Sequence, residues 1–175
     1  TITYKSRDNK DIPIVIIHKK GIELNGNNPT LLRVYGGFGS VSSPNYDTGL
    51  LHFLEKGGVY AFAKVRGGGE KGKNWHKEGK GLKKINSIND FVDAAEFLIR
   101  EKYTNPNKLA INGGSHGGLV VGAAMTQRPD LFKVVISEMG RLDMATLDKY
   151  TSGIHHFDEY GNPNNKEEFQ SLISY

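Results

Sequence analysis

The sequence predicts an α/β fold: a mostly parallel sheet with helices on both faces. Three observations carry this. Apolar, β-branched runs alternate with stretches of helical period, the pattern of strands joined by crossover helices. Several of the runs end in glycine-rich turns, as at "YGGFGS" (35–40), "RGGGEKG" (66–72) and "NGGSHGG" (112–118). The length, 175 residues, suits one domain with a sizeable core.

Each element has its own signal. "TITYKS" and the β-branched "IPIVIIHKK" read as two strands joined at "RDNKD", where Asp and Asn favour a turn. "GIELNGNNPT" is a loop broken by Asn-Gly and Asn-Pro. "LLRVY" is a buried strand, "LLHFLEKGG" a short helix closed by glycine, and "VYAFAKV" a second buried strand. From Ser87 the period changes. "SINDFVDAAEFLIREKY" puts Phe91, Ala94, Ala95, Leu98 and Ile99 on one helical face. Ser87 or Asn89 is its expected cap, with Asp90 suited to the positive helix start. "TNPNK" ends it. "LAING" is a strand, "SHGGLVVGAAMTQR" a helix and "KVVISEMG" a strand. The polar tail from Arg141 has room for two short helices. No internal repeat or low-complexity segment is present.

Composition excludes several function classes. Net charge is +4, with lysines and acids mixed along the chain. No arginine strip interleaved with aromatics marks a nucleic-acid surface, so none is expected as a partner. There is no cysteine, which rules out disulfides, thiolate catalysis and cysteine zinc sites, and fits a reducing, cytoplasmic setting. No apolar run approaches the ~20 residues of a membrane helix, so no membrane partner is expected. The start, "TITYKSRDNK", lacks the apolar region of a signal peptide. It also lacks an initiator methionine and begins in mid-strand, so the sequence reads as a piece of a longer chain.

Gly113-x-Ser115-x-Gly117 sits between a strand and a helix, the setting of a nucleophile elbow. There the chain reverses within a few residues, which strains the serine backbone. Side chains two positions to either side would collide, so glycine is needed at Gly113 and Gly117. The serine hydroxyl then stands clear at the strand's carboxyl end, beside free amides of the helix start. The alternatives are a glycine-rich helix cap or a phosphate-binding turn. The stretch lacks the lysine of a phosphate loop and the G-x-G-x-x-G spacing.

Several stretches together resemble the catalytic domain of the prolyl oligopeptidase family. They are "VYGGFGS" (34–40), "VRGGGEKGKNWHKEG" (65–79), "AAEFLI" (94–99), "INGGSHGGL" (111–119), "QRPDLF" (127–132), "DKYTSG" (148–153) and "EYGNP" (159–163). The resemblance implies a partial α/β-hydrolase fold, truncated before its last strands, and a serine peptidase that cleaves short proline-containing peptides after proline. It implies Ser115 as nucleophile, the His116 amide and the Tyr35 hydroxyl as oxyanion donors, and Phe38 as an aromatic of the proline pocket. Where the family carries a tryptophan that stacks on proline, this sequence has His156, with Phe157 beside it. The family more often has asparagine at His116, whose ring is expected at the solvent or the pocket rim. Trp75 is expected to be structural, His76 to be structural or at the surface, and Arg66 to pair with Glu70 behind the site. No metal or cofactor is implied.

The triad of this fold runs Ser, Asp, His. Asp143 and His155 or His156 satisfy that order, but they precede any further sheet strand that would carry them to Ser115. The resemblance places the acid and the base beyond Tyr175, and residues 1–175 read as an incomplete peptidase domain without its propeller. On that reading the chain alone is inactive or nearly so, its partners include the missing parts of its own polypeptide, and "KVVIS" is an unpaired sheet edge. A catalytically dead binding module and another α/β-hydrolase, such as an esterase, remain open.

Overall fold

Six strands form one sheet in the computed structural model, which describes residues 1–43, 46–150 and 152–175. Thr151, within the "DKYTSG" stretch, lies outside the described residues. The strands are β1 (Ile2–Lys5), β2 (Asp11–Ile17), β3 (Thr30–Val34), β4 (Val59–Ala63), β5 (Leu109–Gly114) and β6 (Val134–Glu138), in the order β1-β2-β4-β3-β5-β6. β1 and β2 are antiparallel, as is β2 against β4, and the rest are parallel. Leu32 pairs with Ala61 on one side and Ile111 on the other. The strand runs of the sequence are therefore all present, in a mostly parallel sheet.

Alternation along the strands decides which face is the core. Thr30, Leu32 and Val34 are buried, whereas Leu31 and Arg33 face outward. Onto the buried face pack α3 (Ile85–Arg100) and α4 (His116–Gln127). Phe91, Ala94, Ala95 and Leu98 of α3 meet Val120, Val121 and Ala124 of α4 in one cluster with the sheet. Each fully buried Phe or Leu there contributes about 1.5–3 kcal/mol. The other face carries α1 (Thr48–Glu55), capped by the Asp47 side chain, with Leu50 beside Tyr60 and Phe62 in a shallow groove. Two short helices, α2 (Lys73–Lys77) and α5 (Phe157–Tyr160), and α6 (Lys166–Leu172) are the other α-helices among the described residues. The tail helices close a second cluster of Leu119, Met144, Leu147, Tyr160 and Leu172 against the start of α4.

Two expectations for α3 are corrected. The helix begins at Ile85, so neither Ser87 nor Asn89 caps it. Ser87 lies inside the first turn and donates its hydroxyl to the carbonyls of Arg66 (2.6 Å) and Gly79 (3.0 Å). Asp90 is not a surface acid at a helix start. It is fully buried and receives the Arg66 guanidinium at 2.6 Å and 2.9 Å, and the Arg66 backbone N–H at 3.0 Å. Arg66 also holds Asp8 at 2.7 Å and 2.9 Å. The expected Arg66–Glu70 pair is absent; a Glu70 carboxylate oxygen instead accepts the Ser42 N–H at 3.3 Å. Two carboxylates reach Arg66 first because β1–β2 and α3 bring them to the carboxyl end of β4, which local spacing does not reveal.

Candidate active site

β5 ends at Gly114 and α4 starts at His116, so the strand becomes a helix across one residue. That residue, Ser115, has φ 52° and ψ −116°, a conformation that costs a non-glycine residue about 1–3 kcal/mol. The surroundings hold it there. The Ser115 N–H donates to the Glu138 carbonyl at 2.8 Å, and the Gly118 N–H returns to the Ser115 carbonyl at 2.9 Å. A Cβ on Gly113 would strike the backbone of Gly117, and one on Gly117 would strike the Val34 carbonyl and lie 3.3 Å from Tyr35 Cα. Only paired glycines allow this approach. Ser115 itself is exposed.

The Ser115 side chain opens onto a cleft of about 840 Å³. Tyr35 and Phe38, from the turn after β3, and His156 and Tyr160, from the tail, line it. Phe38 has φ 56°, which turns its ring outward over the site. Its ring stands edge-on to His156 (5.5 Å), His116 (5.8 Å) and Tyr160 (5.8 Å). Burial and the Glu159 carboxylate push the Tyr35 hydroxyl above the usual phenol range, so it is a neutral donor at pH 7. The His116 N–H, in the first turn of α4, has no partner within its helix.

The His116 ring corrects an expectation. It is buried rather than at the solvent or the rim, with 1% of its surface exposed. It stacks on Tyr160 at 5.5 Å, and Nδ1 shares a 3.0 Å hydrogen bond with the Tyr160 hydroxyl. Burial, with the nearby Lys84 charge, holds its pKa well below the usual imidazole value, so the ring stays neutral. Behind it lies a buried ion network. Lys84 Nζ donates to Glu159 Oε1 at 2.5 Å, His76 Nε2 meets Glu159 Oε2 at 2.7 Å, and Lys84 also sits over the Tyr160 ring. Glu159 and Tyr160 carry these contacts within "EYGNP", but their partners at 76, 84 and 116 are too distant in sequence to be read from it.

Phe157 does not line the cleft; it packs on the second cluster. Asp143 and His156 both line it, yet Asp143 accepts from Thr146, and no hydrogen bond joins it to His156 or a histidine to Ser115 among the described residues. Trp75 is structural, as expected: Nε1 donates to the Val65 carbonyl at 3.0 Å. Among the described residues no three His, Asp or Glu side chains gather as metal ligands. Arg141 also lines the cleft, and no motif had marked it.

A sequence profile of the prolyl oligopeptidase family matches residues 44–175. The chain belongs to the prolyl oligopeptidase family. It is 43% identical over 177 residues to a prolyl endopeptidase of Dictyostelium discoideum, covering 99% of this chain and 23% of that protein. It is likewise 43% identical over 175 residues to the prolyl endopeptidase of Elizabethkingia meningoseptica, covering 99% of this chain and 25% of that one. A solved structure from a study of two prolyl endopeptidases matches with TM-score 0.97 at 46% identity, over 99% of this chain and 26% of the other. Prolyl oligopeptidase B from Galerina marginata matches at 0.95 and 37% identity, over 99% and 25%. The prolyl oligopeptidase family resemblance and the α/β-hydrolase sheet expected from the sequence are thus both found. The chain spans about a quarter of the length of the relatives it matches.

Proposed function

We propose that Ser115 is the nucleophile of a serine peptidase that cleaves short peptides after proline. The observation that carries this reading is the exposed Ser115, held at φ 52° in a cleft shared with Tyr35 and Phe38. Ser115 Oγ attacks the carbonyl carbon of proline, its proton passing to a histidine base. The carbonyl oxygen takes the negative charge and is held by the His116 N–H and the Tyr35 hydroxyl. Collapse of that intermediate expels the amine, which takes the proton from the histidine, and water then releases the acyl group. Phe38 and His156 flank the proline ring, with Phe157 packed behind. This chain supplies the elbow, the oxyanion donors and one wall of the pocket. The histidine, its carboxylate and the substrate-filtering propeller belong to further segments of a longer polypeptide, a reading supported by the quarter-length match. Serine without its base is a weak nucleophile, so residues 1–175 alone are expected to be nearly inactive.

A fluorophosphonate probe tests this. The full-length protein is expected to label at Ser115, S115A to lose the label, and residues 1–175 to label slowly or not at all. A full-length protein that stays unlabelled sinks the reading. Faster turnover of a simple ester than of a Gly-Pro reporter peptide would point to an esterase instead.

A further inference from the structure

Arg141 stands at a fixed place relative to Ser115. It follows β6, whose end is fastened to the elbow by the Ser115 N–H on the Glu138 carbonyl (2.8 Å) and the Ser137 hydroxyl on the Gly118 carbonyl (3.0 Å). Gly140 packs so closely on Gly118 that a Cβ on Gly118 would lie 2.6 Å from Gly140 Cα. The backbone that carries Arg141 therefore moves with the turn that carries Ser115, and both side chains line the same cleft.

The guanidinium there is only partly used. Arg7, Arg66, Arg100 and Arg128 each hold a carboxylate. Arg141, like Arg33 on the outer face of the sheet, has no ion-pair partner among the described residues; its Nη2 donates to the Ser152 hydroxyl at 2.6 Å. The acids close by are already engaged. Asp143, in the same cleft, accepts from the Thr146 hydroxyl at 2.6 Å, and Glu138 accepts from the Asn112 amide at 2.5 Å. Across the cleft His156 Nδ1 is buried without a hydrogen-bond partner among the described residues. Aromatic walls from Tyr35, Phe38 and Tyr160 lower the local dielectric, which strengthens any charge pairing made there. A half-buried guanidinium with free N–H donors, in a cleft with aromatic walls and without a carboxylate in ion-pair contact among the described residues, matches a planar carboxylate in two-pronged geometry.

We propose that Arg141 is a specificity-determining residue that binds a substrate carboxylate within one or two residues of the bond cleaved, so that the cleft favours acidic peptides. The proposal rests on the peptide-cleaving reading of the Ser115 cleft and names its substrate class. The carboxylate comes either from an Asp or Glu side chain or from the peptide's own C-terminus.

Calorimetric binding to the full-length S115A protein, which binds peptide without turning it over, separates these. Three short peptides suffice: one acetylated and amidated with Glu beside proline, its Gln counterpart, and the Gln counterpart with a free C-terminal carboxylate. One of the two carboxylate peptides is expected to bind about tenfold more tightly than the blocked Gln peptide. Which one identifies the source. Added salt should shrink the preference, R141M should erase it and R141K should keep part of it. Equal binding of the three peptides to the parent protein overturns the proposal whether or not R141M folds, as does a preference that survives in R141M. Fluorophosphonate labelling of the protein with Ser115 intact reports on the peptidase reading separately. A carboxylate preference without labelling retains the Arg141 site and removes the peptidase.

Discussion

Arg66 Nη2 lies 2.6 Å from Asp90 Oδ1, and both side chains are almost wholly out of solvent. The pair ties the loop after β4 to the middle of α3. Removing one partner of a buried pair strands the other charge. R66M is therefore expected to lose about 3–5 kcal/mol in urea unfolding, lessened to the extent that Asp90, whose pKa burial already raises, takes up a proton. The double variant R66M/D90L should recover most of the loss. A single variant as stable as the parent would show that the pair contributes nothing.

Gly117 fixes the distance between the elbow and the turn that carries Tyr35. A methyl group there collides with the Val34 carbonyl, and neither backbone can yield without opening the sheet. G117A is expected to lower thermal stability and to slow fluorophosphonate labelling of the full-length protein by about tenfold or more, about 1.4 kcal/mol in the barrier. Unchanged labelling would mean that the elbow tolerates a looser turn.

Tyr35→Phe removes one hydroxyl and leaves the ring packed against His116. If the hydroxyl holds the developing oxyanion, kcat should fall about a hundredfold or more while KM changes little. The melting temperature should stay close to that of the parent. A variant with raised KM and intact kcat would make Tyr35 a binding residue instead.

Lys84 carries a pH dependence of stability. Burial pushes its ammonium down to about 8 from the model-peptide value of 10.5, against the opposing pull of Glu159. Below pH 8 the group is charged in folded and unfolded chains alike, and the cost of burying that charge is present in full. Between about 8 and 10.5 the unfolded chain binds the proton more tightly, so this group's contribution to stability rises with pH. The difference in unfolding free energy between the parent and K84M should move in the parent's favour across that window. A flat difference would mean that Lys84 titrates alike in both states.

Local sequence fixed the strand runs and the elbow because each depends on near neighbours. Alternation in "LLRVY" and "VYAFAKV" follows from the period of a strand, and Gly113 is demanded by a clash with Gly117 within five residues, whereas Gly117 is demanded by the Val34 carbonyl of the neighbouring strand. The environment of His116 was not legible. At a helix start it reads as an exposed ring, but Tyr160, 44 residues away, covers it and takes its Nδ1. The same holds for Asp90, read as a favourable charge at a helix end and found beneath Arg66.

By itself, then, the sequence determined the order of strands and helices, the glycine-framed serine and the family resemblance, all written in short-range patterns. Tertiary structure alone decided which charges meet. Asp8 and Asp90 outcompete Glu70 for Arg66, Glu159 reaches Lys84 across 75 residues, Phe157 turns into the second cluster, and Arg141 lines the Ser115 cleft with no ion-pair partner among the described residues. Electrostatic pairing depends on distance in space and on burial, and neither is set by spacing along the chain.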